Sequence, residues 1–286
     1  MKDQQFVESD WDYCFLLDAC RYDVFSDVYD DYFDGTLEKR RSLGSSTPEW
    51  ATRTLTGDLD MAYFSGNPFI NSLGIPLNEL KWGASCDYEW TAVDHLGEVV
   101  DVWQEGWDDS LGTVPPDSLR ESFFEHRDAV ARRERTVLHY MQPHAPFLER
   151  SDGRKLTMIR EGIKQQGEGQ DESRSVLSPI GEKVRPVVES VLEGSSLAMK
   201  AGLMLELDTR SILSNGTRET VMEHHEKNLR IALESIVEFV DELEGNIVIT
   251  ADHGEAFGEQ GIWEHHIETH IPPLIEVPWL ELGGRE

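Results

Sequence analysis

The sequence predicts an α/β fold built on a central, mostly parallel sheet, and three observations carry that expectation. Short apolar runs recur at Tyr13–Leu17, Thr136–Met141 and Ile247–Thr250, each long enough for one strand and too short for a helix. Each run hands over to a polar residue where a parallel strand gives way to a loop: Asp18, Gln142 with His144 beyond it, and Asp252-His253. The span Thr217–Leu243 places Met222, Leu229, Ile231, Ala232, Ile236, Phe239 and Val240 on a helical period just before the Ile247 run. A strand fed by a long amphipathic helix is the repeating unit of a parallel sheet.

Taken in order, Tyr13–Leu17 is an unbroken apolar strand that delivers Asp18, and Ala19–Phe25 opens a helical pattern. A helix N-cap is the ordinary use of an Asp in that position. Arg21, on the first turn, faces either a substrate oxyanion or a neighbouring acid, and pairing with an acid is the favoured reading. Gly44-Ser45-Ser46-Thr47-Pro48 then precedes a helix, because the fixed φ of Pro48 suits a first turn. Thr47 is expected at the N-cap, and if a metal also touches its oxygen it becomes a nucleophile, a role for which Ser46 is the rival. A hydroxyl there is a plain cap, or it faces a ready anion site.

Met61–Ser65 reads as a second strand, with Asn67 at its carboxyl end, and Val99–Trp103 reads as a third. Pro115–Arg133 is helical in pattern through Leu119, Phe123, Phe124 and Val130. Thr136–Met141 is the fourth strand, and Pro143 and Pro146 bracket His144 in the loop that follows. From about 149 to 215 the composition turns polar and Gly-rich, which predicts a flexible loop or cap insertion within a single domain spanning 1–286. His224 and His225 on the long helix are expected to face solvent. Ile271–Val277 is expected to be an edge strand, since Pro272 and Pro273 exclude it from a central place.

The stretch after Ile247–Thr250 carries the chemistry: Asp252-His253-Gly254, followed by His265-His266 and His270. A carboxylate beside an imidazole is a mixed donor set suited to Zn²⁺ or Mn²⁺. An Asp-His pair also serves as turn and cap chemistry, but a buried strand before it and a histidine pair after it favour a metal site. Gly254 is expected to let the backbone turn sharply beneath that site.

Composition bounds the environment. Acids outnumber bases 55 to 26 and the net charge is −29, spread along all 286 residues among core-forming runs rather than gathered in a tail. That pattern predicts a folded, halophilic protein from a high-salt cytosol. It argues against nucleic-acid partners, whose phosphates such a field repels. Cys14, Cys20 and Cys86 have no metal-knuckle spacing and read as reduced thiols. The first ten residues lack the apolar core of a signal peptide, and no run has the roughly 18–20 apolar residues of a membrane span. A soluble, cytoplasmic protein is expected.

Asp18 ending the first strand, Ser46-Thr47 before a helix and Asp252-His253-Gly254-Glu255 ending a late strand together resemble the alkaline phosphatase/sulfatase superfamily, in a haloarchaeal-type variant. The stretch from Asp252 to His265 looks like its counterpart in lipid A phosphoethanolamine transferases, and lipoteichoic acid synthases and sulfatases share much of it. The resemblance implies an alkaline-phosphatase-like α/β/α sandwich. It implies metal ligation by Asp18, Asp252, His253 and the nucleophile oxygen of Thr47. His144 and His265 would face the phosphoryl group or hold a second metal, and Asn67 matches an amide that binds a phosphate oxygen. Zn²⁺ or Mn²⁺ is the implied ion, with Ca²⁺ as a further candidate. The substrate class is a small-molecule, glycan or lipid-head-group ester.

Two departures shape the expected function. Sulfatases with formylglycine need a Cys or Ser in a Cys-x-Pro-x-Arg setting, which this chain lacks, and they usually carry Lys where His265 stands. The membrane helices of the transferases are absent as well. The expectation is a metal-dependent phosphoester hydrolase or phosphotransferase with a covalent threonine intermediate. A sulfuric ester hydrolase and a non-catalytic metal-binding protein are the alternatives. The acidic composition generates its own test. Lowering KCl from molar to millimolar should drop the melting temperature by roughly 5–10 °C, for a self-repulsion of about 2–3 kcal/mol. A melting temperature that holds or rises would contradict the halophilic reading.

Overall fold

The computed structural model describes residues 1–80, 86–149, 154–168 and 217–285. Their centre is an eight-stranded sheet in the order β1-β3-β10-β7-β2-β6-β4-β5. The strands are β1 (Lys2–Asp3), β2 (Tyr13–Asp18), β3 (Thr36–Arg41), β4 (Leu59–Ser65), β5 (Leu96–Val100), β6 (Arg135–Pro143), β7 (Gly245–Ala251) and β10 (Glu276–Arg285). A two-stranded hairpin of β8 (Ala256–Phe257) and β9 (Trp263–Glu264) lies apart from it. Neighbours from β7 to β5 run parallel, and β10 is antiparallel to both β7 and β3.

Burial on both faces explains why the central strands read as continuous apolar runs. One face carries Tyr13, Phe15 and Leu17 on β2, in register with Thr136, Leu138 and Tyr140 on β6. Helices Pro116–Glu125 and Thr217–Val240 cover it, with the Phe239 ring 5.4 Å from Phe15 and 4.9 Å from Phe123. The opposite face carries Leu16 and Asp18, with Thr250 and His139 in register with Leu16. Helix α2 (Thr47–Thr54), preceded in the chain by the short α1 (Tyr22–Ser26), packs there, its fully buried Trp50 donating to Gln4, which in turn donates to Thr250. Among the described residues one buried cluster links both faces, and no helix is long and apolar enough to cross a membrane.

Four expectations need correction. The strand expected at Val99–Trp103 ends at Val100, and Val102–Glu105 forms a helical turn whose Trp103 carbonyl accepts from Arg160. Pro272 and Pro273 do not make an edge strand; they open the short helix Pro272–Ile275, where a missing N–H costs nothing. The strand proper, β10, starts at Glu276 and is internal, between β3 and β7. Of the flexible loop or cap insertion expected from about 149, the flexible-loop alternative fails over Arg154–Gly167, a helix that sinks Leu156 and Ile163 into the main core. The rest of the expected insertion, 169–216, lies outside the described residues.

The fourth correction concerns His224 and His225, which are buried rather than solvated. The β8–β9 hairpin covers their side of the long helix, a contact invisible in the helix's own periodicity. His224 stacks on Phe147 at 5.6 Å, and His225 meets Phe257 edge-on at 5.2 Å. Burial, reinforced by the Arg21 charge, lowers the His225 pKa to about 3. Below the ordinary histidine value the unfolded chain takes up a proton that the folded chain refuses, so stability falls as pH drops from about 6.5 towards 3. The slope is at most about 1.4 kcal/mol per pH unit from this group. Urea unfolding at pH 6.5 and 4.5 should show a smaller acid-induced loss in His225→Phe than in the unaltered protein, and equal losses would refute the assignment.

Candidate metal centre

The carboxyl ends of β2, β7, β4 and β6, together with the start of α2, converge on one buried site. Asp18 is the last residue of β2, and Asp252 and His253 directly follow β7; all three are buried. His253 Nδ1 lies 2.8 Å from the Gly254 carbonyl, which only accepts, so that nitrogen carries the proton. Nε2 therefore faces the two carboxylates, 3.4 Å from Asp252 Oδ2 and 3.6 Å from Asp18 Oδ1. Donors about 2.1 Å from a tetrahedral ion stand about 3.4 Å apart, so these separations suit an ion and are too long for hydrogen bonds. Asp18 Oδ1 is buried and has no hydrogen-bond partner among the described residues. An oxygen left without a partner inside a donor trio is the arrangement a cation completes.

The charges agree with the geometry. Burial pushes the Asp18 carboxyl well above the ordinary carboxylate range, and the adjacent Asp252 charge adds to the effect. Against its own burial, Asp252 is held below that range by His253, His139 and the Thr47 hydroxyl. A divalent ion between them would favour the charged form of both.

Thr47 is the first residue of α2, and Ser46 rather than Thr47 is the N-cap, in extended conformation. Thr47 Oγ1 donates to Asp252 Oδ2 at 2.7 Å and lies 3.4 Å from His253 Nε2. The Ser46 hydroxyl is buried and bonds to none of these groups. Asn67, just past β4, donates to Asp18 Oδ2 at 2.7 Å and to Thr47 Oγ1 at 3.2 Å. The start of α2 is fixed by buried Glu49, which accepts from Ser45 N–H, Ser45 Oγ and Glu268 N–H, and contacts His270 at 2.7 Å. Gly254 matters for proximity, not for a turn: a Cβ there would lie 2.0 Å from the Pro273 carbonyl oxygen.

A second donor group lies alongside. His144, Glu255 and His265 place ligand-type atoms within 4.8 Å of one another, as Asp18, Asp252 and His253 do. The β8–β9 hairpin folds His265 back, so that Nδ1 is 3.3 Å from each Glu255 oxygen. The His265 ring is centred 5.1 Å from His144 and 4.5 Å from His253, which makes it the bridge between the groups. Arg21 binds Asp23 and Glu259 through its guanidinium and donates to the Glu255 carbonyl, the acid-pairing role favoured from sequence.

Sequence reasoning left several contributors without a role. Glu255 stood directly after Asp-His-Gly, a legible signal. Ser42, whose hydroxyl donates to the Asp252 carbonyl, gave none, and neither did His139 with its partner Tyr63.

No family model matches the chain, and no curated protein matches it. Solved structures do. The integral membrane lipooligosaccharide phosphoethanolamine transferase A of Neisseria meningitidis aligns with a TM-score of 0.52 at 12% identity, over 98% of this chain and 49% of that one. This chain thus spans about half the length of that neighbour. The C-terminal periplasmic domain of EptC from Escherichia coli, in complex with Zn, gives a TM-score of 0.47 at 10% identity, over 99% and 75% of the two chains. The phosphonate monoester hydrolase of Silicibacter pomeroyi gives 0.45 at 13%, over 96% and 68%. The class so defined is the alkaline-phosphatase-like α/β fold. At these identities the likeness establishes the fold alone.

If Asp18, Asp252 and His253 form a metal site, Asp252→Ala should lower bound Zn²⁺ or Mn²⁺ from about one ion per chain to background, an affinity cost above the roughly 10- to 100-fold of losing a group that only orients a ligand. Elemental analysis finding unchanged metal content would contradict the assignment.

Proposed function

We propose that this chain is a metal-dependent phosphoester hydrolase or phosphotransferase acting through a covalent intermediate on Thr47. The observation that carries the reading is the Thr47 hydroxyl, seated at a helix start 2.7 Å from Asp252 Oδ2 and beside the Asp18–Asp252–His253 donor trio. A divalent ion, Zn²⁺ or Mn²⁺ by the donor chemistry, would be held there and would supply positive charge that acidifies the hydroxyl and offsets phosphoryl charge.

The chain's own groups do the rest. Asp252 Oδ2 accepts the Thr47 hydroxyl hydrogen bond and so aims an oxygen lone pair outward from α2. Asn67 holds Asp18 and Thr47 in fixed relation through its two amide N–H groups, and the one on Thr47 Oγ1 would pass to a phosphoryl oxygen once the Thr47 oxygen bonds to phosphorus. In the first step the Thr47 proton leaves to solvent, to return when the second step frees Thr47 again. The Thr47 oxygen bonds to phosphorus, the ester P–O bond breaks, and His144 or His265 gives a proton to the departing oxygen. In the second step the same imidazole takes a proton from water or an acceptor alcohol, whose oxygen bonds to phosphorus as phospho-Thr47 is cleaved. Water makes the protein a hydrolase and an alcohol makes it a transferase.

Small-molecule, glycan and lipid-head-group esters are the substrate classes proposed, in a high-salt cytoplasm that screens the chain's negative field. That screening allows an anionic ester to reach the site despite a net charge of −29.

Assays on phosphate monoesters, phosphate diesters and sulfate esters in molar KCl should show turnover on a phosphate ester. Thr47→Ala should lower kcat by about 10³-fold or more while keeping the fold and most metal affinity, and Ser46→Ala should cost less than about tenfold. Peptide mass spectrometry after trapping should find the phosphoryl group on Thr47. An adduct on Ser46, or full activity in Thr47→Ala, would overturn the nucleophile assignment.

A further inference from the structure

His139 has no part in the chemistry above, yet it lies fully buried on β6 against the metal centre. Its neighbour Tyr63, on β4, is in register with Val137, so the two side chains project from the same face of the sheet. The Tyr63 hydroxyl meets His139 Nδ1 at 2.9 Å. The other ring nitrogen, Nε2, is buried without a hydrogen-bond partner and looks at Asp252 Oδ2 across 3.8 Å.

Asp252 itself is held unequally at its two oxygens. Its Oδ1 accepts from the backbone N–H groups of His253 at 2.8 Å and Ala19 at 3.2 Å. Among the described residues Oδ2 has a single hydrogen-bond donor, the Thr47 hydroxyl. In the reaction proposed above that hydroxyl gives up its proton, and Oδ2 then loses its only hydrogen bond. His253 Nε2 is nearer, at 3.4 Å, but turns its lone pair to Oδ2. Among the described residues His139 Nε2 is therefore the ring nitrogen left to present an N–H, and at 3.8 Å it acts on Oδ2 by charge–dipole attraction rather than through a formed hydrogen bond.

We propose that Tyr63 and His139 form a positioning relay that holds Asp252 Oδ2 in its ligating orientation. The Tyr63 O–H donates to Nδ1, the ring proton sits on Nε2, and that N–H is directed at Oδ2. The opposite tautomer would aim a nitrogen lone pair at a carboxylate and leave the phenol proton without an acceptor among the described residues. Outer groups that orient a ligand in this way typically change metal affinity by about 10- to 100-fold. The inference rests on the metal-site reading and concerns binding, so it is separable from the choice of nucleophile.

The test is Zn²⁺ affinity by chelator competition, measured for the unaltered protein, Tyr63→Phe, His139→Gln, His139→Leu and the double variant Tyr63→Phe/His139→Leu. Melting of the metal-free forms controls for folding. His139→Leu should weaken binding by about 10- to 100-fold, and His139→Gln, which can place an amide N–H near Nε2, should recover part of the loss. Tyr63→Phe should weaken binding by about tenfold in the unaltered background and by nothing further beside His139→Leu. Nitrogen-15 histidine spectra of the metal-free protein should show the His139 proton on Nε2. Unchanged affinity in Tyr63→Phe, additive effects in the double variant, or a proton on Nδ1 would each overturn the relay. Should His139→Leu fail to fold, Tyr63→Phe and the spectra still decide. An unaltered protein that binds no Zn²⁺ would remove the metal site and the relay together, whereas normal binding with indifferent variants would remove the relay alone.

Discussion

Two carboxylates, Asp18 and Asp252, are held side by side in the interior at the ends of adjacent strands, and the architecture around them manages that repulsion. Taking a single carboxylate out of water costs several kcal/mol, and placing two together raises the cost. The structure answers with donors: Asn67 to Asp18; Thr47, Ala19 and the His253 amide to Asp252. One oxygen, Asp18 Oδ1, is left without any. Sheet order makes the juxtaposition unavoidable. From β2 the chain crosses to β3 on one side and then to β4 on the other, so the sheet reverses at β2, and β7 later inserts beside it. Such a switch point is where an open α/β sheet opens a crevice at its carboxyl end.

The surrounding devices keep movable parts in register with that pair. Helix α2 presents Thr47 because Glu49 folds back to satisfy Ser45, and because Trp50 is locked to Gln4 beneath it. The β8–β9 hairpin brings Glu255 and His265 over His144. It is tied down by Glu259, which binds both Arg21 and Arg218. Arg21 is almost wholly buried, and its charge is matched by two acids, so it reads as a strut for the hairpin. Close approach at Gly254 lets the Pro272–Ile275 segment seat against the Asp252–Gly254 loop, through the hydrogen bond from Gly254 N–H to the Leu274 carbonyl.

Much of this was legible in the chain. Apolar runs such as Phe15–Leu17 and Ile247–Ile249 are readable because a two-sided burial leaves no room for polar residues, and the acids that end them stand out for that reason. Strand β3, Thr-Leu-Glu-Lys-Arg-Arg, was not legible, since only Arg40 on it is buried and its pairing with β10 comes from main-chain bonds. The internal β10 was misread as an edge because the prolines that seemed to exclude it belong to the helix before it. Pro278 is in fact inside the strand, where its carbonyl accepts from Thr250 Oγ1 at 2.6 Å. His224 and His225 were misplaced because a helix's period shows its main buried face and not a second face covered by a distant hairpin. The contrast between Thr47 and Ser46 needed coordinates: adjacent hydroxyls at a helix start differ by one rotation, which composition does not encode.

The central claim is that the unsatisfied charge between Asp18 and Asp252 is completed by a divalent cation. Anomalous diffraction from crystals grown with Zn²⁺ or Mn²⁺, recorded on both sides of the metal's absorption edge, tests it most directly. The account predicts a peak bonded to Asp18, Asp252 and His253, with the Thr47 oxygen beside it. Crystals whose metal peaks lie only at surface acids, with the three side chains still in place around water, would contradict it.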